Sequence, residues 1–122
     1  MEPNISAYLQ GKIKQAQQLE LQLEQVASQK YQMELRVKEI EKTLKELESV
    51  GETSPIYRSV GGILYKVENK SKLVSDLQEQ KELAEIRIKS MEKQQKNIED
   101  KYKEIEESIR KSYGEQGKST QS

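Results

Sequence analysis

Cysteine, histidine, phenylalanine and tryptophan are all missing from the 122 residues. Without cysteine there are no disulfides and no thiolate chemistry, and the redox compartment stays undetermined. Without histidine the commonest general base and metal ligand is gone; the two absences together exclude zinc sites of the usual kind. The lack of Phe and Trp leaves few groups to fill a rounded core. Prolines number only two, so long helices can run uninterrupted. Charge of one sign is lacking too: 21 basic residues cancel 21 acidic ones. No global field therefore favours nucleic acid or an anionic membrane. No apolar run approaches a membrane span, and the opening MEPNISAYLQ lacks the basic-then-apolar pattern of a signal peptide. A soluble, cytoplasmic protein is the expectation.

What remains is rich in Glu, Lys, Gln and Leu. With 33% hydrophobic and 34% charged residues, the choice lies between disorder and long exposed helices sharing a thin apolar seam. Periodicity decides it. Alternating steps of three and four give Ile5, Leu9, Lys12, Ala16, Leu19, Leu23, Val26, Lys30, Met33, Val37, Ile40, Leu44 and Leu47. Eleven of these thirteen are apolar, the a/d pattern of a coiled coil. The second half repeats it with Val74, Leu77, Lys81, Ala84, Ile88, Met91, Gln95, Ile98, Tyr102, Ile105 and Ile109. Pro3 and Asn4 start the first helix and Val50-Gly51 before Pro55 stops it, giving residues 4–50, about 70 Å at ~1.5 Å per residue. Ser71 is the expected N-cap of a second helix over 71–113. From Gly114 the tail GEQGKSTQS has no apolar residue, and residues 114–122 are expected to be disordered. Residues 1–113 thus form a single domain.

Between the helices, IYRSVGGILYKV (56–67) reads as a β-hairpin at about 55–68. Gly61 and Gly62 tolerate the positive φ angles of a two-residue turn. That turn sets Val60 opposite Ile63, Arg58 opposite Tyr65 and Ile56 opposite Val67. One face then carries Ile56, Val60, Ile63, Tyr65 and Val67 around Arg58; the other carries Tyr57, Ser59, Leu64 and Lys66. A lone hairpin is marginal in water, and its open edges invite other chains. The hairpin reads as an assembly element, against the plainer reading of a connector. A short polar turn would serve as a connector.

Helices packed antiparallel about this hairpin pair residues whose numbers sum to roughly 121. Leu47 then lies near Val74, Lys30 near Met91–Glu92, and Leu9 near Ser112–Tyr113. A lysine at an a position, such as Lys30, costs stability; it either snorkels to Glu92 and fixes the register or stands as an exposed seam lysine, the two readings weighing equally. At the end holding both termini, Tyr8 and Ile13 flank the seam beside Leu9, while Tyr102, Ile105 and Ile109 approach from the return helix. Such apolar surface reads as a contact site for apolar partners, with ordinary packing of frayed ends as the alternative. Leu21, Leu35 and Ile86 point outward and carry no assigned role.

Catalysis is not expected, nor a cofactor or metal. Of the 21 acids 19 are Glu, spread over solvated helix faces with no buried pocket to shift a pKa. Gly61-Gly62 lacks a phosphate-loop pattern.

The order helix, hairpin, helix, with Ile56-Tyr57-Arg58-Ser59-Val60-Gly61 closing the first strand, resembles the prefoldin β class, and of its forms the archaeal type. The stretch IYRSVGGILYKVENKSKLVSDL carries most of the likeness, which spans about Leu9 to Ile109; a single hairpin favours the β class over the two-hairpin α class. The resemblance implies a mainly α fold, an antiparallel two-helix coiled coil with one β-hairpin contributing to an inter-subunit β-barrel. It implies a hexamer of two α and four β subunits that holds unfolded clients at its coiled-coil tips, without nucleotide hydrolysis. It further implies transfer of those clients to a group II chaperonin. On this chain, assembly would fall to Ile56, Val60, Gly61, Gly62, Ile63, Tyr65 and Val67. Client binding would fall to Ile5, Tyr8, Leu9, Ile13, Tyr102, Ile105 and Ile109. Two other readings compete: a structural coiled-coil scaffold docking one fixed partner, and a helical arm that binds nucleic acid. Balanced charge and the hairpin count against the latter.

Overall fold

In the computed structural model the backbone is described from Glu2 to Gln121 and side chains from Ser6 to Gly114. Helix α1 (Glu2–Ser49) leads to strands β1 (Tyr57–Val60) and β2 (Ile63–Lys66), and helix α2 (Lys70–Gln121) follows. By compactness the chain divides into a terminal unit, residues 1–30 with 90–122, and a hairpin unit, residues 31–89.

In the terminal unit the apolar steps of the sequence are the side chains withdrawn from solvent. Leu9, Val26 and Ile98 are buried, and Ala16, Leu19, Leu23, Met91, Ile105 and Ile109 are half-buried. The helices run antiparallel here: Tyr102 Oη donates to Glu20 Oε1 at 2.7 Å, and Lys30 Nζ lies 3.6 Å from Glu92 Oε1. Both pairs total 122, one above the expected register. Lys30 also donates to Gln95 Oε1 at 3.3 Å, so the polar seam residues of the two helices meet each other. A lysine placed where Leu would pack is thus held by two acceptors on the opposite helix, which penalises shifted registers. The Glu20 carboxylate, through its hydrogen bond first and its charge second, holds the Tyr102 phenol above its ordinary value of 10.0.

In the hairpin unit the seam is built from buried Val37, Ile40, Leu47 and Ala84. Burying an Ile or Leu contributes about 1.5–3 kcal/mol, so a few such layers suffice to hold two helices together. Lys81 Nζ bridges to Glu41 at 3.4 Å across the helices and to Glu85 at 3.8 Å along its own. Leu44, Leu47 and Val74 line one shared groove, as the antiparallel register requires.

The helix ends differ from expectation in three places. Helix α1 stops at Ser49, and Gly51 follows without a positive φ, which among the described residues is taken only by Gly61 and Gly62. Instead Lys70 Nζ donates to the Val50 carbonyl at 2.9 Å, placing a cation on the exposed acceptors of α1. The N-cap of α2 is Asn69 rather than Ser71: Asn69 Oδ1 accepts from the Lys72 N–H at 3.1 Å. Asn is at least as good a cap as Ser, and it stands one residue before the first helical turn. Third, α2 continues to Gln121, through the segment expected to be a disordered tail. That stretch contains no proline, and a glycine lowers helix propensity by only about 1 kcal/mol without forbidding the helix.

The hairpin has the expected register, Arg58 opposite Tyr65 and Val60 opposite Ile63. The Val67 N–H donates to the Ile56 carbonyl at 2.8 Å, extending the ladder by one pair. Gly61 and Gly62 sit at φ 57° and 83°, the signs a two-residue I′ turn demands. A Cβ at Gly62 would meet open space, so only the backbone angle resists substitution. Gly62→Ala is therefore expected to cost about 1–2 kcal/mol in chemical denaturation, and Gly62→Asn less, because Asn tolerates this region. A separate test reads the Glu20–Tyr102 bond by spectrophotometric titration. Tyr102 should ionise above the ordinary phenol value, and Glu20→Gln should lower its pKa toward that value. Because the folded pKa is raised, the bond's stabilisation is full below the ordinary phenol range. It is lost as pH climbs through the folded pKa.

Candidate functional site

Two places draw attention, one in each unit. In the hairpin, a four-residue strand pairs with another four-residue strand and, among the described residues, with no third one. Because pairs 56/67, 58/65 and 60/63 face each other through hydrogen bonds, the N–H groups of Tyr57, Ser59, Leu64 and Lys66 point out along the two free edges. The expected apolar face splits in two. Ile56 and Val67, at its base, are half-buried, as is Arg58; Val60, Ile63 and Tyr65, toward the turn, are exposed, Ile63 at 68%.

Tyr57 (60% exposed) and Leu64 (69%) lie on the opposite face and were not among the expected assembly residues. Each was written off with its polar neighbours Ser59 and Lys66. On a two-residue pitch, however, Tyr57 and Leu64 belong to adjoining rows of one face. The hairpin thus presents large apolar side chains on both faces and open backbone on both edges.

At the terminal unit's seam, the expected contact residues separate by depth. Tyr8 (48% exposed) and Ile13 stand clear of the seam, whereas Leu9 is buried at 7%. Ile105, Ile109 and Tyr102 are half-buried, the last with its hydroxyl committed to Glu20. The side chain of Ile5 lies outside the described residues. Tyr113, absent from the expected set, is exposed; it sits four residues past Ile109, on the helical spacing that could have flagged it. Lys12 Nζ stands 5.6 Å from the Tyr8 ring centroid, a cation–π contact on an exposed aromatic. Leu9, Ile105 and Ile109 support this surface from beneath.

Among the described residues no cluster of acids could hold a metal ion. No helix among them is long and apolar enough to cross a membrane.

The family model described as prefoldin subunit matches residues 10–116. A prefoldin subunit beta from Thermoplasma volcanium is 53% identical over 118 residues, covering 97% of this chain and 95% of the relative. Its counterpart from Thermoplasma acidophilum is 52% identical over the same shares. That of Archaeoglobus fulgidus is 36% identical over 101 residues, 83% of this chain and 86% of the relative. Among solved structures, the prefoldin beta subunit from Thermococcus strain KS-1 aligns with a TM-score of 0.76 at 31% identity, covering 86% of this chain and 91% of that one. Two antiparallel helices joined by one exposed hairpin, matched along nearly the whole chain by these relatives, place it in the prefoldin family, in the β class.

Proposed function

We propose that the chain is an assembly subunit of an ATP-independent holdase, joined through its hairpin and holding clients through its terminal unit. The observation that carries this reading is the hairpin, whose exposed Tyr57, Val60, Ile63, Leu64 and Tyr65 and two unpaired edges suit a sheet completed by other subunits. Added strands would cover the edges by backbone pairing, and closure into an inter-subunit barrel would bury one face. Family membership supports α-class and further β-class prefoldin subunits as the partners, in a hexamer of two α and four β.

Clients in this reading are unfolded proteins, held by Tyr8 and Ile13 above Leu9, Ile105 and Ile109, with Tyr113 and, by sequence, Ile5 beside them. Burial of apolar surface is non-directional, so selectivity among clients is low. One such patch binds weakly. Several subunits engaging one extended chain raise the effective concentration and lengthen the hold, and detachment patch by patch allows release without nucleotide. The recipient is a group II chaperonin in the cytoplasm. No cofactor takes part.

Two substitutions separate the roles. Ile63→Asp or Val60→Asp would bury an unpaired charge in the assembly. The native mass should fall to that of smaller species while helical circular dichroism persists; an intact oligomer would remove the hairpin from the interface. Tyr8→Ser combined with Ile13→Ser should leave the assembly mass unchanged but weaken protection of an aggregating client about tenfold or more, from two lost apolar contacts on every copy. Full protection by that variant would remove Tyr8 and Ile13 from the client surface, whereas one stoichiometric partner with no protection of unrelated unfolded proteins would favour a structural scaffold.

A further inference from the structure

The apolar patch of the terminal unit has a charged border that the chain's overall neutrality conceals. From Ser6 to Leu19, α1 carries Lys12 and Lys14 and no acid; from Ser108 to Gly114, α2 carries Arg110 and Lys111 and no acid. In the antiparallel register of this unit, where paired numbers total 122, Ser108–Gly114 oppose residues 8–14, and the acids Glu104, Glu106 and Glu107 lie further along toward the hairpin. Extending the count over the matched end, residues 1–14 and 108–122, gives five Lys and Arg against Glu2 and Glu115, so the excess at this end is positive while the whole chain sums to zero.

The lysines are also available. Among the described residues neither Lys12 nor Lys14 has a carboxylate partner, and Lys12 is occupied only by the Tyr8 ring. Arg110 and Lys111 bridge to Glu106 at 3.1 Å and Glu107 at 3.7 Å one turn back. Exposed pairs of this kind are held weakly and exchange readily with water or another anion. Lys12 and Lys14 bracket Ile13 in sequence, and Lys12 covers Tyr8. Any chain laid on Tyr8 or Ile13 therefore brings its own neighbouring side chains within a Debye length of these ammonium groups.

We infer that the terminal patch selects unfolded polypeptide segments in which apolar residues alternate with Asp and Glu, and disfavours equally apolar segments that carry Lys and Arg. This rests on the client-holding reading and adds a preference to it. Apolar contact supplies the hold; the cations bias which segments are held. The exposed aliphatic Ile13 between the two lysines selects a peptide over a polyanion, because a nucleic acid or a lipid headgroup brings no aliphatic side chain to it.

The test uses the full chain in the assembly it forms, with three unfolded peptide probes of equal length and apolar content. One carries Glu, one carries Lys and one carries Ser or Gln at the polar positions. Binding of the Glu probe should exceed that of the Lys probe by about three- to tenfold at low salt, and the ratio should approach one near 0.5 M salt as screening shortens. Lys14→Glu, at an outward position that leaves the seam untouched, should shrink the ratio. Adding Lys12→Glu should invert it. Equal binding of Glu and Lys probes, with the neutral probe still held, overturns the charge preference and leaves client holding intact. Failure to bind any of the three overturns both. Displacement of the Glu probe by an unstructured RNA at equal charge, with no effect of the probe's apolar content, would assign the cations to a polyanion and overturn the inference.

Discussion

A chain without Phe or Trp must make its core one side chain wide, and the rest of this structure depends on that constraint. Two helices can share such a core because each layer needs only a pair of aliphatic residues. Leu9, Val26, Val37, Ile40, Leu47, Ala84 and Ile98 supply it. A seam this thin tolerates shifts of register, so polar residues within it acquire a positional role. Lys30 with Glu92 and Gln95, and Lys81 with Glu41, each reach across to the other helix. Neither pair is buried enough to make a large contribution to stability, and their effect is to disfavour the wrong alignment.

The same constraint shapes the hairpin and the terminal patch. Helices that meet along one line cannot also wrap a sheet, so the hairpin keeps apolar faces and strand edges in solvent. Aromatic and aliphatic side chains flanking the seam, such as Tyr8 and Ile13, likewise find no third element to cover them. Among the described residues no polar or charged side chain is buried, and the raised pKa of Tyr102 reports a helix-to-helix hydrogen bond.

Periodic features were legible in the sequence and local ones were not. The three-four spacing named the withdrawn side chains of both helices, and the Gly61-Gly62 pair fixed the hairpin register, because both follow from repeats that many residues reinforce. Helix ends depend on one hydrogen bond each, and several residues compete to make it. Asn69 took the cap expected of Ser71, and the Val50 carbonyl at the end of α1 is met by Lys70, 20 residues on. Tyr57 and Leu64 share their face with the polar Ser59 and Lys66, which hides its apolar content, and Tyr113 lies beside the seam, whose next step after Ile109 falls on the half-buried Ser112. Composition over the whole chain hid the cations around Tyr8 and Ile13, since a zero sum says nothing about where charges lie.

The central claim is that the hairpin is completed by other subunits, and amide hydrogen exchange at its edges tests it most directly. In the isolated chain the inward amides of Arg58, Val60, Ile63, Tyr65 and Val67 are paired, whereas those of Tyr57, Ser59, Leu64 and Lys66 face solvent. In the assembly, at least one of these outward sets, β1 or β2, should slow by orders of magnitude, because a neighbouring strand would occupy that edge. Fast exchange at all four outward amides in the intact assembly would contradict the account.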